Sequence, residues 1–289
     1  MEDYILLRAI REKVSEKIFL LCAISTAFSL LLIIYYIFAR GVPAIAQIGL
    51  LNFILGMEWA PKANIFGIFP MIVASLYVTA GAIVIGVPIG ILTAVFFSEI
   101  APTWLANILR PVIELLAAIP SVVYGFFGLV VIVPIIDAVF KNDGGNSLLA
   151  AVIILGIMIL PTIISITETS IREVDPTYKE ASLALGATKI RTIFKVIIPT
   201  AKSGIFAGIV LGIGRAIGET MAVMLVAGNA AVMPHSLLDR ARTLTVNCAL
   251  EMGYASGLHA DSLIATGVVL FTIIIILNLV LTLIKRERI

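Results

Sequence analysis

Six long apolar runs constrain the fold of this chain more than any other feature of its sequence. A helix needs about 20 mostly apolar residues to cross the hydrocarbon core of a membrane. Runs of that length occupy approximately residues 18–39, 67–98, 112–136, 148–167, 204–228 and 263–284. Only 13% of the residues are charged, against about 25% in soluble domains. The sequence therefore predicts an all-α, polytopic membrane protein with six transmembrane helices.

The first run could be mistaken for a secretory signal peptide, because basic residues precede it. It extends from Ile18 to Ala39, which is longer than the roughly 7–15 apolar residues of a signal peptide. We therefore expect a retained helix. The second run carries Gly86 and Pro88 and the third carries Pro120, so we expect these two spans to be tilted, kinked or irregular.

The distribution of basic residues predicts how the chain is oriented. Six crossings place both termini on one side of the membrane, and cytoplasmic loops carry an excess of Lys and Arg. One side receives fourteen basic residues: Arg8, Arg11, Lys13, Lys17, Arg110, Arg172, Lys179, Lys189, Arg191, Lys195, Lys202, Lys285, Arg286 and Arg288. The other side receives five: Arg40, Lys62, Lys141, Arg240 and Arg242. Both termini are therefore predicted to be cytoplasmic.

The connection between the fourth and fifth runs, residues 168–203, is rich in charge and carries its own helical signals. Pro176 favours the first turn of a helix over 178–185, and Gly186 can end that helix. A second apolar helix is predicted over 190–198, with Pro199 ending it. Such a segment could simply join two spans. Its charge and its compact helix–glycine–helix pattern favour a docking surface for another protein.

Two charged residues, Arg215 and Glu219, interrupt the fifth apolar run near its middle. A charge at the centre of a membrane costs roughly 2.5–3.5 kcal/mol on the insertion scale, so both should face protein or water. On a continuous helix they share one narrow arc with Gly208 and Gly212.

Three roles for this pair remain open. Arg215 and Glu219 could form a structural ion pair, since intramembrane charges usually do pair. Arg215 could instead bind an anionic substrate, because guanidinium matches phosphate oxygens in a two-pronged geometry. A proton relay through Glu219 is the weakest alternative, because no chain of further acids and histidines accompanies it.

The stretch EASLALG, followed nine residues later by VIIP, resembles the EAA loop of ABC-importer permeases. Glu180, Ala181, Gly186 and Pro199 match that pattern in register, and Ser182 replaces the second alanine. In that family the loop forms a coupling helix that seats in a groove of the ATP-binding subunit. The resemblance therefore implies that these four residues couple the chain to an ATPase.

Other stretches resemble one branch of that family, the phosphate-import permeases of the PstC type. These stretches are Trp59-Ala60-Pro61, IPSVVYG at 119–125, RAIGETMAV at 215–223 and Arg242-Thr243-Leu244. The resemblance covers roughly residues 57–284. It implies a type I importer permease (MetI-like) fold, with 1–66 as tail, first helix and outer segment. Residues 67–289 would form the permease domain, with a coupling loop at 175–199.

The resemblance also implies how such a chain would work. It would form a heterodimer with a sister permease, and bind two ATP-binding subunits and an extracytoplasmic phosphate-binding protein in a prokaryotic cell membrane. Arg215, Glu219 and Thr220 would line the substrate pathway. No cofactor and no nucleic acid is expected on this chain, and ATP with Mg²⁺ would be bound by the partner subunits.

Two alternative functions are weighed against this expectation. A sulfate or molybdate permease also carries Arg-x-x-Gly-Glu, but the residues at 220–223 look like those of phosphate permeases. An ion-coupled secondary transporter would need no ATPase, and the 180–199 loop argues against it. The sequence contains no Gly-Lys dipeptide and so no phosphate-binding P-loop. The chain is therefore not expected to be an enzyme itself.

Overall fold

The computed structural model describes the backbone of residues 2–141 and 144–287 and the side chains of residues 12–141 and 144–283. Five basic side chains used above to predict orientation lie outside that part: Arg8, Arg11, Lys285, Arg286 and Arg288. The described chain is helical apart from a two-stranded hairpin and connecting loops. The predicted all-α class is confirmed.

The first part of the chain forms one very long helix, a small segment of short elements and a second long helix. Its elements are α1 (Glu2–Ile48), α2 (Leu50–Leu55), β1 (Trp59–Ala60), a 3-10 turn (Pro61–Ala63), β2 (Ile65–Phe66) and α3 (Phe69–Val95). The two strands are antiparallel, with Trp59 opposite Phe66. A π-helical turn, Phe96–Ile100, extends the end of α3.

The middle part does not form the single third span predicted at 112–136. Its elements are α4 (Thr103–Ala118), α5 (Ser121–Phe127), a π-helical turn (Gly128–Ile132), α6 (Val133–Phe140) and α7 (Leu148–Arg172). Ile119 is extended, with ψ 128°, because the following Pro120 disfavours helical geometry in the residue before it. The apolar span is therefore Ser121–Phe140, and residues 112–118 belong to α4.

The last part contains the charged connection, a broken helix and the C-terminal helix. Its elements are α8 (Pro176–Ala184), α9 (Lys189–Thr192), a π-helical turn (Ile193–Ile197), α10 (Ile198–Thr200), α11 (Lys202–Gly218), α12 (Met221–Val226), α13 (Leu244–Glu251) and α14 (Leu258–Glu287). The continuous helix predicted at 204–228 is wrong, because the helical backbone ends at Gly218 and restarts at Met221.

Within the described residues, five helices are long and apolar enough to cross a membrane: Glu12–Ile48, Phe69–Ile100, Ser121–Phe140, Leu148–Arg172 and Leu258–Leu283. A sixth is counted if Lys189–Thr200 and Lys202–Gly218, which are bent by 70° relative to each other, make one span. The predicted number of crossings is thus reached only through a broken segment.

Helix α7 lies at the centre of the bundle and packs along α3, α11 and the α5–α6 span. Glycines in α3 face α7. A Cβ atom on Gly81 would lie 2.6 Å from Val152, and one on Gly86 would lie 2.7 Å from Ile159. Small residues at these positions let the two backbones approach closely.

Helix α1 packs mainly on α14, at the edge of the bundle. Phe38 and Phe271 meet edge to face at 5.9 Å, and Arg40 pairs with Asp261 at 2.6 Å. Most other apolar side chains of α1 are exposed, as expected for a helix in contact with lipid.

Candidate functional site

Arg215 lies in the last turn of α11, half-buried against α7. Its Nη1 is 3.5 Å from the hydroxyl oxygen of Thr162, so the contact is a weak hydrogen bond. Gly208 and Gly212 lie on the same helix and let α11 come close to Ile166 and Ile163 of α7. Tight packing of α11 on α7 therefore keeps this guanidinium group inside the bundle.

Glu219 follows the last helical residue of α11 and is extended, with φ −69° and ψ 135°. Its Oε1 accepts a hydrogen bond of 3.1 Å from the backbone N–H of Ala222, in the first turn of α12. Its backbone carbonyl accepts a bond of 2.8 Å from the hydroxyl of Thr245. The break in the helix is thus stabilised by a side-chain cap and by a hydrogen bond from the first turn of α13.

Thr220 is the second residue of the break and has φ −122° and ψ −59°. Its hydroxyl donates to the carbonyl of Gly218 at 3.4 Å, so it satisfies one of the carbonyls left free at the end of α11. The three residues predicted to line a pathway, Arg215, Glu219 and Thr220, therefore all lie at one discontinuity in the bundle.

Arg215 and Glu219 do not pair with each other within the side chains described. A pair four residues apart requires a continuous helix, and the helix ends between them. Each charge instead complements a helix end. The C-terminus of a helix carries partial negative charge that favours Arg215, while the carboxylate of Glu219 satisfies a free N–H at the start of α12.

Glu219 also borders a small cavity between α3, α7, α11, α12 and the start of α13. The cavity has a volume of about 10 Å³, and its polar lining comes from Ser75, Thr79, Thr243 and Glu219. This volume approaches that of a single water molecule and is far too small for an oxyanion. A polyatomic anion could enter this space beside Glu219 only after the helices around it move apart.

The charged connection folds as the sequence predicts in its first half. Asp175 caps α8, accepting hydrogen bonds from the backbone N–H of Thr177 at 2.9 Å and from its hydroxyl at 2.7 Å. These bonds hold the pKa of Asp175 below its ordinary value. Gly186 follows α8 with φ +83° and bonds back to Leu183 at 2.9 Å, which confirms the predicted glycine stop.

The second half of the connection differs slightly from the prediction. Helical structure runs from Lys189 to Thr200, so Pro199 lies inside the last turn rather than ending the helix one residue earlier. The chain turns at Ala201, which starts the 70° bend into α11. Pro199 lies in the first turn of α10. A helix tolerates proline there because an N–H at that position would have no partner within the helix.

The tip of this connection presents exposed side chains. Glu180 and Ala181 on α8 are exposed, as a docking surface requires. Leu185 is 90% exposed and Ile190 is 68% exposed on either side of Gly186. The sequence pattern had pointed to Glu180, Ala181, Gly186 and Pro199 and not to these two apolar side chains.

Two ion-pair systems fasten the ends of the helices on this side of the bundle. Lys179 of α8 forms a salt bridge of 2.6 Å with Glu99, in the π-helical turn after α3. Glu168 of α7 forms salt bridges with Arg110 of α4 at 2.6 Å and with Arg172 at 3.0 Å. The paired residues lie up to 80 positions apart in the sequence, so a single sequence gives no signal that they pair.

A buried polar cluster lies at the opposite end of the bundle, around Glu251 of α13. Its carboxylate accepts hydrogen bonds from Trp59 at 2.9 Å and Arg242 at 2.6 Å, and contacts His259 at 2.9 Å. Burial alone would raise the pKa of Glu251, but these hydrogen bonds together hold it below its ordinary value.

His259 is therefore part of a packed cluster at the start of α14. Its ring lies about 6 Å from the rings of Trp59, Phe66 and Tyr254. The cluster joins the hairpin, α13, α14 and the loop before α13 into one platform.

The chain matches the family described as "Binding-protein-dependent transport system inner membrane component" over residues 86–288. It is 42% identical over 243 residues to the probable ABC transporter permease protein YqgH of Bacillus subtilis, covering 82% of this chain and 78% of that protein. It is 35% identical over 241 residues to the phosphate transport system permease protein PstC of Pasteurella multocida, covering 77% of this chain and 75% of that protein.

The fold is similar to that of a solved transporter chain. A structure of the MetNI methionine ABC transporter in an inward-facing conformation aligns with a TM-score of 0.58 and 21% identity. The alignment covers 77% of this chain and 94% of that one. At this identity the likeness shows the shared fold of the importer permeases.

Proposed function

Because this chain belongs to the family of binding-protein-dependent transport system inner membrane components, we propose that it is the permease subunit of an ATP-driven importer of inorganic phosphate. The observation that carries the proposal is the broken helix at 218–221, which places an arginine inside the bundle without a carboxylate partner among the described side chains. Such an arginine is suited to attract an oxyanion. The family match and the name of the Pasteurella multocida relative support phosphate as that oxyanion.

Arg215, Glu219 and Thr220 form the proposed substrate pathway. Guanidinium keeps its charge at any relevant pH and binds phosphate oxygens through two parallel hydrogen bonds. Its present contact with Thr162 is long, at 3.5 Å, so an arriving anion would exchange a weak bond for stronger ones. Glu219, held by the Ala222 N–H, would fix the break in place and not itself bind the anion.

The exposed connection at 175–199 is the proposed coupling loop. Glu180, Ala181, Gly186 and Pro199 would present it to an ATP-binding subunit, and Leu185 would be its apolar contact. ATP and Mg²⁺ would be bound and ATP hydrolysed there, on the partner. Closure of two such subunits would pull the loop, move the ends of α3, α7 and α11, and separate the helices around Arg215.

The remaining partners follow from the same reasoning. A sister permease would complete the pathway, since the chain alone leaves apolar faces on α4 and α5 exposed, including Trp104 and Phe126. An extracytoplasmic phosphate-binding protein would deliver the anion at the platform around Glu251. The coupling loop and both termini would then be cytoplasmic, in agreement with the distribution of basic residues.

Competition in uptake experiments tests the substrate. Cells that lack their own phosphate importers would express this chain with its neighbouring transport genes, and uptake of labelled phosphate would be measured. We expect excess sulfate or molybdate to leave uptake nearly unchanged, and unlabelled phosphate to abolish it. Import of labelled sulfate or molybdate in place of phosphate would contradict the assignment.

A further inference from the structure

We propose that the ion pair between Lys179 and Glu99 transmits movement of the coupling loop to α3 and thereby sets how much anion is moved per ATP hydrolysed. The inference rests on the proposed function. It assigns to these two residues a positioning role that follows from how α8 is attached to the bundle.

The attachment of α8 depends on polar contacts and not on burial. No residue of α8 is buried, so the helix lies on the surface of the bundle. Its side chains make two described polar contacts to other elements. Lys179 Nζ lies 2.6 Å from Glu99 Oε2, and the hydroxyls of Ser182 and Thr192 lie 2.9 Å apart.

The two contacts reach the bundle in different ways. Thr192 is buried at the start of the second coupling-loop helix, whose Ile193 and Ile197 pack with Ile171, Ile205 and Val95. That contact therefore acts through apolar packing, on α7, α11 and the end of α3 together. The Lys179–Glu99 pair leads to the π-helical turn at the end of α3. Among the described polar side-chain contacts of α8, this pair alone reaches α3.

The turn that carries Glu99 is itself firmly held. Phe97 is 5% exposed and packs with Ala94 and Ile164. Its carbonyl lies 3.5 Å from Nη2 of Arg110, whose Nε binds Glu168. Only 10% of the Glu99 side chain is exposed, against 37% for Lys179. A pull on α8 would therefore act on a rigid end of α3 and would not be absorbed by a loose loop.

Movement of α3 would reach the substrate pathway directly. Ser75 and Thr79 of α3 line the small polar cavity that Glu219 borders. The Ser75 hydroxyl also accepts a hydrogen bond of 3.0 Å from the backbone N–H of Leu244. The next residue, Thr245, donates a hydrogen bond to the Glu219 carbonyl. A shift of α3 would thus disturb both the cavity beside Glu219 and the contact between Thr245 and Glu219.

Charge exchange in the assembled importer tests this role. The complex copurified with this chain would be placed in liposomes, and phosphate uptake and ATP hydrolysis would be measured together. The variants are Glu99→Lys, Lys179→Glu, their double exchange, and the neutral Glu99→Gln and Lys179→Gln. Lys17→Glu is the control, since it makes the same charge change at an exposed lysine outside the coupling loop.

We expect either reversal to lower uptake per ATP by about 5-fold or more, the scale of a typical coupling between sites, while the control stays near wild type. The double exchange should restore most of the wild-type ratio of phosphate uptake to ATP hydrolysis. If a reversal prevents assembly, the neutral variants must show the reduced ratio. Wild-type ratios in the neutral variants, or a double exchange no better than the single reversals, would overturn the proposal. A wild-type importer that moved another anion would contradict the phosphate assignment alone, and the ratio would then be measured with that anion.

Discussion

Arg215 shows how a charge can lie inside an apolar span without a carboxylate beside it. A continuous helix would have left it near the middle of a 25-residue run, at a cost of several kcal/mol unless it faced protein or water. The structure ends the helix just after it, so the partial negative charge of the α11 C-terminus lies close by. The break therefore helps to stabilise the guanidinium group inside the bundle.

The absence of an Arg215–Glu219 pair within the described side chains leads to a prediction for the double variant. Arg215→Gln and Glu219→Gln should each leave most of the protein folded, because glutamine at 219 still has an oxygen to accept the Ala222 N–H. The double variant should show the sum of the two small losses in folded protein, with no rescue. The amount of monodisperse protein extracted from membranes measures this.

A structural ion pair predicts the opposite pattern. Each single variant would then leave one charge unpaired in the membrane and lose much folded protein, and the double variant would recover it. Such recovery would contradict the geometry at the break.

At the scale of a single element, Gly186 carries the sharpest conformational requirement in the coupling loop. Its φ of +83° lies in the left-handed region, which β-branched residues resist most. No atom lies within 4 Å of a Cβ built on it, so backbone strain and not crowding should decide the outcome. Gly186→Val should weaken binding of the ATP-binding subunit, whereas Gly186→Asn should be tolerated because asparagine adopts this geometry readily. Copurification of that subunit measures both.

The pair of variants separates two explanations for a loss. If asparagine fails as badly as valine, the side chain is excluded by the partner and not by the backbone angle. Normal copurification and uptake in Gly186→Val would show that the elbow at 186 has no part in docking.

Elements with local signals could be predicted from the sequence. Asp175-Pro176 and Gly186 act within a few residues of themselves, and α8 begins and ends where they indicate. The apolar runs likewise located five of the spans, since length and composition alone decide them. In the third run Pro120 indicated irregularity, although the prediction did not separate α4 from α5.

Other elements depend on contacts that a single sequence does not reveal. Glu219 and Thr220 are compatible with a helix, and the break exists because Ala222 and Thr245 supply alternative hydrogen bonds. Lys179 and Glu99 are 80 residues apart. The candidate site residues could therefore be named from the sequence, but the arrangement that gives them their chemistry could not.

At the scale of the whole molecule, orientation is the first prediction. Fourteen basic residues on one side and five on the other favour cytoplasmic termini. A reporter that is active only in the cytoplasm, fused to either end, should be active. A fusion between Lys141 and Leu148, on the predicted outer side, should be inactive. Activity of the outer fusion, or inactivity at either terminus, would contradict the arrangement of the spans.

The platform around Glu251 and the proposed coupling loop at 175–199 lie at opposite ends of the bundle, and the break at Glu219 lies between them. Glu251 fastens the platform through Trp59, Arg242 and His259, while Lys179 and Glu99 fasten the loop. The central claim is that the anion crosses between these two ends past Arg215.

The most direct test of this claim is ATP-driven phosphate uptake by the reconstituted importer carrying Arg215→Lys or Arg215→Gln, measured per folded complex. Lysine keeps the charge but lacks the two-pronged geometry, so we predict a partial loss with lysine and nearly complete loss with glutamine. Assembly and basal ATP hydrolysis should remain. Full uptake by a folded Arg215→Gln importer would contradict the account.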